Sequence, residues 1–283
     1  MVRQGEKYKR LPVTFHRTFI PERHYISALL RFVAGSVEGS NQEISAQTGI
    51  PVGKSDGKVP AIISYCTGMG LIQINKRVGT GHRQFGLTPF GRAVLLEDCN
   101  LSESLTQWLV HFHLCRRQDG AEIWHLCFAK GYDVLGMEFS EADLAAYLER
   151  ICGKRNRSLI GPLVRTYEEP AGLKSTGVLV RSDGTLQRSA APLLSGFRNG
   201  FAAFFLSLWE FCFPDDRQVT VLDFEAETYW QKIGGWDERQ YEIVLDMLQE
   251  AGVITVDKQM RPWVLSRFAE AKKFWPILYD NLA

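Results

Sequence analysis

The segment Asn41–Leu95 constrains the fold of this chain more than any other, because helix and strand patterns follow one another there in a fixed order. Just before it, apolar residues at helical spacing predict an amphipathic helix over 22–35. Asn41 is the predicted N-cap of a short second helix. Ser55 is the predicted N-cap of a third helix, which runs to about Thr67.

Two stretches of alternating apolar and polar residues, 71–78 and 83–88, predict strands on either side of a glycine turn. A winged helix-turn-helix has this order of elements, in which helices are followed by a hairpin. In that fold the third helix enters the major groove of DNA and the hairpin, or wing, lies along the backbone. A winged helix also serves as a protein-docking surface, and this alternative stays open. The residues predicted to contact DNA are Lys54, Ser55 and Lys58 at the helix start, and Lys76, Arg77, His82 and Arg83 on the wing.

Charge is distributed unevenly along the chain, which favours an anionic partner for its N-terminal part. Residues 1–96 contain 13 Lys/Arg and 5 Asp/Glu, a balance of +8, and the remainder contains 20 and 27, a balance of −7. Residues 154–198 are basic again, with 8 Lys/Arg and 3 acids. Arg155, Arg157 and Arg165 in this second basic region either extend the DNA-contacting surface or pair with acidic neighbours.

The patterning predicts a mainly α protein with a minor β component. Three domains are expected: a winged-helix DNA-binding domain over 1–96, a helical middle over 97–213, and a winged-helix-like domain over 214–283. The middle carries a basic, turn-rich insert at 154–190. Because the third domain is acidic, protein contact suits it better than DNA. The six cysteines include no Cys-x-x-Cys pair, and no apolar run is long enough to cross a membrane, so a cytoplasmic protein is expected.

Two groups of potential metal ligands have simpler alternative interpretations. A His/Cys group in the middle domain offers a zinc site, although a histidine-rich helix core is the commoner case. Among Asp223, Glu225 and Glu227, two carboxylates at alternating positions of a strand would bind Mg²⁺, or these would be ordinary surface acids. No nucleotide or organic cofactor motif is present. The His/Cys group consists of His111, His113, Cys115, His125 and Cys127.

Three segments occur in register with a known bacterial family: FHRTFIPERHYI at 15–26, LLEDCNLSESLTQWLVHFHL at 95–114 and LVRTYEEP at 163–170. The chain resembles a family of unknown function that is encoded beside DNA phosphorothioation genes and includes the SspB component of the single-strand system. The sequence departs from the family pattern at Gly161-Pro162, where a more polar helix start is usual. Its C-terminal third is similar to the family only loosely.

The resemblance implies a part in an anti-phage system that replaces a non-bridging phosphate oxygen of DNA by sulfur. SspB-like members are associated with DNA nicking, so the resemblance implies a nickase, that is, an endonuclease that cuts one strand, with Mg²⁺ or Mn²⁺ as the metal. It also implies double-stranded DNA, a cysteine desulfurase, an ATP pyrophosphatase and an ATPase as partners. A non-catalytic transcriptional regulator and an adaptor that docks modification enzymes on DNA remain alternatives.

The chemistry of nicking is predicted to lie in the N-terminal element, because the sequence contains no familiar nuclease constellation. A histidine there would act as base or acid, and an arginine would hold the scissile phosphate. The alternative is that the same residues pack the helix start or touch backbone phosphates. The candidate residues are His16, Arg17, Glu22, Arg23 and His24.

Overall fold

Helices dominate the part of the chain that the structure describes, and three small antiparallel sheets accompany them. The computed structural model describes residues 8–36, 38–53, 57–78, 81–153 and 159–282. Within these ranges, none of the helices combines the length and apolar character needed to cross a membrane.

The first unit contains the predicted hairpin, β2 and β3, and a third strand, β1, which pairs with β3. The expected helices are also present. Apolar side chains of α1 at helical spacing, including Ile26, Leu30 and Val33, are buried against the hairpin and the other two helices. The elements are α1 (Arg23–Gly35), β1 (Glu38–Gly39), α2 (Asn41–Thr48), α3 (Val59–Gly68), β2 (Ile72–Val78) and β3 (His82–Leu87).

The N-caps of the first unit differ from the prediction. Ser40, not Asn41, caps α2, and its hydroxyl accepts from the Glu43 N–H while the Glu43 carboxylate accepts from the Ser40 N–H. A serine followed three residues later by a glutamate makes this reciprocal capping box. Lys58 precedes the first turn of α3, and the predicted cap Ser55 lies outside the described residues.

The second unit has a sheet that the sequence did not predict. A helical middle was expected, but Glu138–Ser140 pairs with a hairpin around Asp183-Gly184, in the turn-rich insert, to give three strands. Asp183 (φ 48°) and Gly184 (φ 84°) both lie in the left-handed region, which a two-residue turn of this kind requires. The elements that follow β3 are α4 (Pro89–Glu97), α5 (Ser104–Cys115), α6 (Glu122–Trp124), a π-helix (His125–Lys130), α7 (Tyr132–Leu135), β4 (Glu138–Ser140), α8 (Glu141–Cys152), α9 (Ile160–Glu168), β5 (Leu179–Ser182) and β6 (Thr185–Arg188).

The third unit corrects one assignment made from the sequence. Asp223, Glu225 and Glu227 do not alternate along a strand but lie on a helix. Thr220 caps this helix and accepts from the Asp223 N–H. The elements are α10 (Arg198–Cys212), β7 (Gln218–Thr220), α11 (Val221–Thr228), α12 (Trp230–Gly234), α13 (Glu238–Glu250), β8 (Ile254–Asp257) and β9 (Val264–Arg267).

The three units share one topology. In each, a helix leads to a short strand, a capped helix follows at once, and a further helix precedes a hairpin whose second strand pairs with the short strand. Within the described ranges the sheet orders are β1-β3-β2, β4-β6-β5 and β7-β9-β8. In each sheet the last strand of the unit therefore lies between the other two. Helix α5 contacts α3 of the first unit, the π-helix of the second, and α10 and α12 of the third. All of its residues from Leu105 to Cys115 are buried, so the three units pack around it.

Candidate nucleic-acid interface

The predicted general base His16 is inside the protein. Its side chain is 2% exposed, its Nδ1 accepts from the Thr18 N–H at 3.2 Å, and its ring packs edge-on against Phe15 and Trp124. Its Nε2 is enclosed without a hydrogen-bond partner among the described residues. Burial lowers the pKa of His16 to about 4, so the imidazole is neutral at pH 7. This position favours a packing role over contact with DNA.

The turn after His16 is strained. Arg17 and Thr18 have φ angles of 53° and 93°. Positive φ is costly for a β-branched residue, and each such residue costs on the order of 1–3 kcal/mol unless its surroundings hold it in place. The hydrogen bond from Thr18 to His16 and the burial of Phe15 supply that support. Arg17 itself is exposed at the surface.

Arg23 joins the three sequence segments that carry the family resemblance. Its Nη1 donates to the Leu101 carbonyl at 3.1 Å and its Nη2 to the Pro170 carbonyl at 2.9 Å. The second and third segments also meet directly, because the Tyr167 hydroxyl lies 2.7 Å from Nδ1 of His111. The three segments therefore contact one another through these residues. Arg23 is occupied by backbone carbonyls in this arrangement.

Glu22 is the centre of a small polar cluster at the start of α1. Its Oε1 accepts from Nζ of Lys58 at 2.5 Å, and its Oε2 lies 3.8 Å from Nε2 of His24. The Lys58 ammonium also lies over the rings of Phe19 and Tyr25, at 5.2 and 4.8 Å from their centroids. The side chain of Lys58 is only 15% exposed, so the structure places this predicted DNA contact on the protein itself. His24, at 60%, is well exposed.

The wing carries polar side chains that contact side chains of α2. Nη1 of Arg83 donates to Oδ1 of Asn41 at 2.7 Å, and Nδ1 of His82 lies 3.8 Å from a carboxylate oxygen of Glu43. Lys76, on β2, is exposed. Sequence reasoning missed Asn41 and Glu43 as wing partners, because only the β1–β3 pairing brings the start of α2 beside residues 82 and 83.

Only some of the remaining predicted DNA contacts lie within the described residues. Arg165, on α9, is half-exposed, and its Nε donates to Glu169 one turn later at 2.5 Å. Lys54, Ser55, Arg155 and Arg157 lie outside the described residues. In sequence they fall between α2 and α3 and between α8 and α9, which are equivalent connections of the first and second units.

The His/Cys group of the middle domain lies in the core. Sγ of Cys115 lies 3.6 Å from Nδ1 of His111, whereas His113 stacks on Phe90 and faces other aromatic rings. His125 is bonded through Nδ1 to the Cys115 carbonyl at 2.9 Å. Burial lowers the pKa of each of these histidines and raises the pKa of both thiols of the group. Neutral imidazoles and protonated thiols suit a packed core.

The acids of α11 do not form a magnesium site. Glu225 is half-buried and accepts from the Tyr241 hydroxyl and the Gln231 N–H, and burial raises its pKa to about 7. Glu227 accepts from Arg117, and Asp223 accepts from the hydroxyl of its own cap. In the described ranges no three His, Cys, Asp or Glu side chains are grouped so that they would hold a metal ion. These donors do not fit Mg²⁺, which requires several free oxygen ligands.

Comparison with known proteins identifies the family. A family model described as a protein of unknown function (DUF4007) matches residues 14–161, which is more than half of the 283 residues. The chain belongs to this family. In fold it is similar to a magnesium ion-bound SspB crystal structure, with a TM-score of 0.70, and to a second SspB crystal structure, with a TM-score of 0.69. Each SspB chain is 13% identical to this chain, and each alignment covers 95% of this chain and 88% of the SspB chain. No curated protein matches. The SspB-like resemblance read from the sequence is confirmed.

Proposed function

We propose that this protein binds double-stranded DNA through its first unit, as the DNA-binding and DNA-nicking component of a DNA phosphorothioation system. The observation that carries the proposal is a difference in charge between units of equal topology. The first unit, residues 23–87, contains seven Lys/Arg and three Asp/Glu, whereas the third, residues 198–267, contains seven and twelve. We infer from this shared topology that each unit is a winged helix, and the basic one suits the phosphate backbone.

The placement of the first unit's polar side chains supports backbone contact more than base readout. Lys76 is exposed on the wing, and Arg83 and His82 lie on the neighbouring strand, where they pair with Arg77 and Val78. Residues at such positions neutralise phosphates, which fixes the protein on DNA without selecting a sequence. Lys58, the charged residue directly before α3, is turned toward Glu22. We therefore expect binding to many sequences rather than tight binding to one operator.

Removing the charges of the wing should weaken DNA binding and make it less sensitive to salt. In the double variant Lys76→Gln/Arg77→Gln, the slope of log K against log[salt] should shrink by about 2, because each phosphate contact contributes about 0.9. The measurement is fluorescence anisotropy of labelled duplexes of two unrelated sequences, titrated from about 50 to about 200 mM salt. Lys272→Gln is the matched control, because this exposed lysine belongs to the acidic C-terminal part. An unchanged slope in the double variant would exclude the wing as the contact.

Nicking is proposed at the surface beside the start of α1. Of the five side chains predicted for this chemistry, His24 is an exposed imidazole that a carboxylate, Glu22, flanks at 3.8 Å. A carboxylate at that position orients an imidazole as the base that takes a proton from the attacking water. Arg17 lies at the surface of the same N-terminal element and carries the charge that a scissile phosphate needs.

Conversion of supercoiled plasmid to open circles tests nicking, with Mg²⁺, Mn²⁺ or EDTA present. His24→Ala should reduce the rate by roughly a hundredfold or more, the usual contribution of a positioned base, while DNA affinity is retained. Lys272→Gln is again the control, because this exposed lysine lies outside the residues assigned to DNA contact or nicking. Equal rates in both variants would remove His24 from the proposal. Binding without nicks under every metal condition would instead favour the regulator or the adaptor.

Partners are proposed on the same basis. A cysteine desulfurase, an ATP pyrophosphatase and an ATPase would supply and attach sulfur. The third unit suits protein contact because it is acidic and exposes Leu222, Met260 and Phe268. Co-purification with these enzymes, retained when the wing is neutralised, is the expected result.

A further inference from the structure

A cavity of about 170 Å³ lies where the loop after α5 meets α10 and α11. It lies outside the first unit and contains none of the residues assigned to DNA contact or nicking. Two adjacent arginines, Arg116 and Arg117, line it together with Ser207 and Cys212 of α10 and Glu227 of α11. The two arginines differ in how their charges are compensated.

Arg117 is fully engaged. Its Nη1 donates to Oε2 of Glu227 at 2.7 Å, and its guanidinium lies over the ring of Tyr8, 4.0 Å from the centroid. The Tyr8 hydroxyl donates to the same carboxylate oxygen at 2.8 Å. The charges of Arg117 and Glu227 therefore offset each other inside the cavity wall.

Arg116 has no such partner. Its Nη1 donates to Nδ1 of the neutral His113 at 2.8 Å, and its Nε is enclosed without a hydrogen-bond acceptor. Among the described residues no carboxylate lies within 4.0 Å of its guanidinium. Burial lowers the pKa of Arg116 to about 10, which still leaves it charged at neutral pH. An enclosed charge with an unpaired donor is unfavourable unless something else compensates it.

The loop that presents Arg116 is built tightly. Asp119 has a φ of 58°, and a Cβ at Gly120 would lie 2.4 Å from the Arg116 carbonyl oxygen. The Ala121 N–H then returns to the Leu114 carbonyl at 2.7 Å. Asp119 also lines the cavity, but it is exposed and accepts from the Gln118 amide at 3.0 Å, so solvent screens its charge. The position of the arginine is thus fixed by the backbone.

We propose that this cavity binds a small tetrahedral oxyanion of the phosphate or sulfate class, held by the guanidinium of Arg116. The planar guanidinium of an arginine offers oxyanions an arrangement of donors that a lysine does not. The size decides the class of ligand. Pockets for organic ligands are typically about 300 Å³ or more. At about 170 Å³ this cavity is closer in size to an inorganic oxyanion than to a larger organic ligand.

Calorimetric titration of the full-length protein with inorganic phosphate, and separately with sulfate, tests the proposal. Sodium chloride of equal ionic strength is the reference. The wild type should bind either oxyanion saturably at one site. Arg116→Gln should weaken this binding at least about tenfold, the usual effect of losing a charge-assisted hydrogen bond. Ser207→Leu, which fills the cavity and retains the arginine, should weaken it similarly and gives the answer if Arg116→Gln does not fold.

The wing variant Lys76→Gln/Arg77→Gln separates this site from the DNA surface. Oxyanion binding should be unchanged in it, because the cavity is formed by other elements. Binding that is lost in the wing variant and retained in Ser207→Leu would overturn the proposal, since the oxyanion would then occupy the DNA surface. A wild type that responds to phosphate and sulfate no more than to chloride would overturn it equally. DNA affinity is measured on the same samples, so the two proposals fail or stand separately.

Discussion

Below about pH 6 the free energy of unfolding should fall steeply, because four buried imidazoles must remain neutral in the folded protein. Burial lowers the pKa of His16 and of His125 to about 4, that of His111 to about 3, and that of His113 well below its usual value. In the unfolded chain these groups titrate near 6.5. Between the two values the unfolded state binds more protons, so the stability present above about pH 6.5 is lost as the pH falls toward 4.

The magnitude is large relative to the stability of an ordinary protein. At about 1.4 kcal/mol per pKa unit, His16 and His125 each contribute roughly 3 kcal/mol, against a typical total of about 5–15 kcal/mol. Glu225 acts in the opposite direction, because burial raises its pKa to about 7 and the folded state then holds a proton that the unfolded state has lost. The effect of this carboxyl on the free energy of unfolding offsets that of about one imidazole. The net effect of lowering the pH is therefore a loss of stability.

Urea unfolding between pH 7 and pH 4.5 measures this dependence. His16→Gln should reduce the loss of stability over that range by about 2 kcal/mol, since one buried imidazole no longer has to be kept neutral. His24→Gln changes an exposed histidine and should leave the loss as in the wild type. If all three proteins lose stability in parallel, buried His16 is not a source of the acid sensitivity.

Gly91→Ala should lower the free energy of unfolding by about 3 kcal/mol or more, the upper part of the range for overpacked cores. A Cβ at this position would lie 1.8 Å from the Leu71 carbonyl oxygen, so backbone would have to move. The better helix propensity of alanine returns at most about 1 kcal/mol. Gly91 is in the first turn of α4, where its N–H donates to the cap Thr88 at 2.8 Å.

Gly161→Ala is the matched substitution, because Gly161 is in the first turn of α9 and a Cβ there would have no neighbour within 4 Å. Its stability should be unchanged or slightly higher. Chemical denaturation of both variants beside the wild type gives the comparison. Similar midpoints for the two alanine variants would mean that α4 does not pack on Leu71 as closely as the structure has it.

Features set by neighbouring residues were predictable from the sequence. The capping box of Ser140 and Asp143, the turn at Asp183-Gly184 and the hairpin at β2–β3 each depend on a few consecutive residues, and all are present. The second sheet was missed because β4 is only three residues long and pairs with a strand more than forty residues later. The helix at 221–228 was missed although Thr220 and Asp223 form a capping pattern that the alternation of acids obscured.

The candidate site was harder to predict because residue type does not reveal burial. His16 and Arg23 have the chemistry of a nuclease, and sequence gives no indication that Trp124, Leu101 and Pro170 enclose or occupy them. The same reasoning from the sequence selected His24 and Lys76, which are exposed, and His16 and Lys58, which are largely covered by the protein. Only the non-local packing separates the two pairs.

The position of α5 at the centre of the three units also bears on how such a protein can vary. Because every unit is anchored on the same buried helix, a change in the interior affects all three at once, whereas a change on an outer face concerns one unit alone. Surface substitutions away from caps and packing usually alter stability by less than about 0.5 kcal/mol. The outer faces are therefore free to acquire opposite charges while the interior stays common. One scaffold can in this way present a basic face and an acidic face in a fixed geometry.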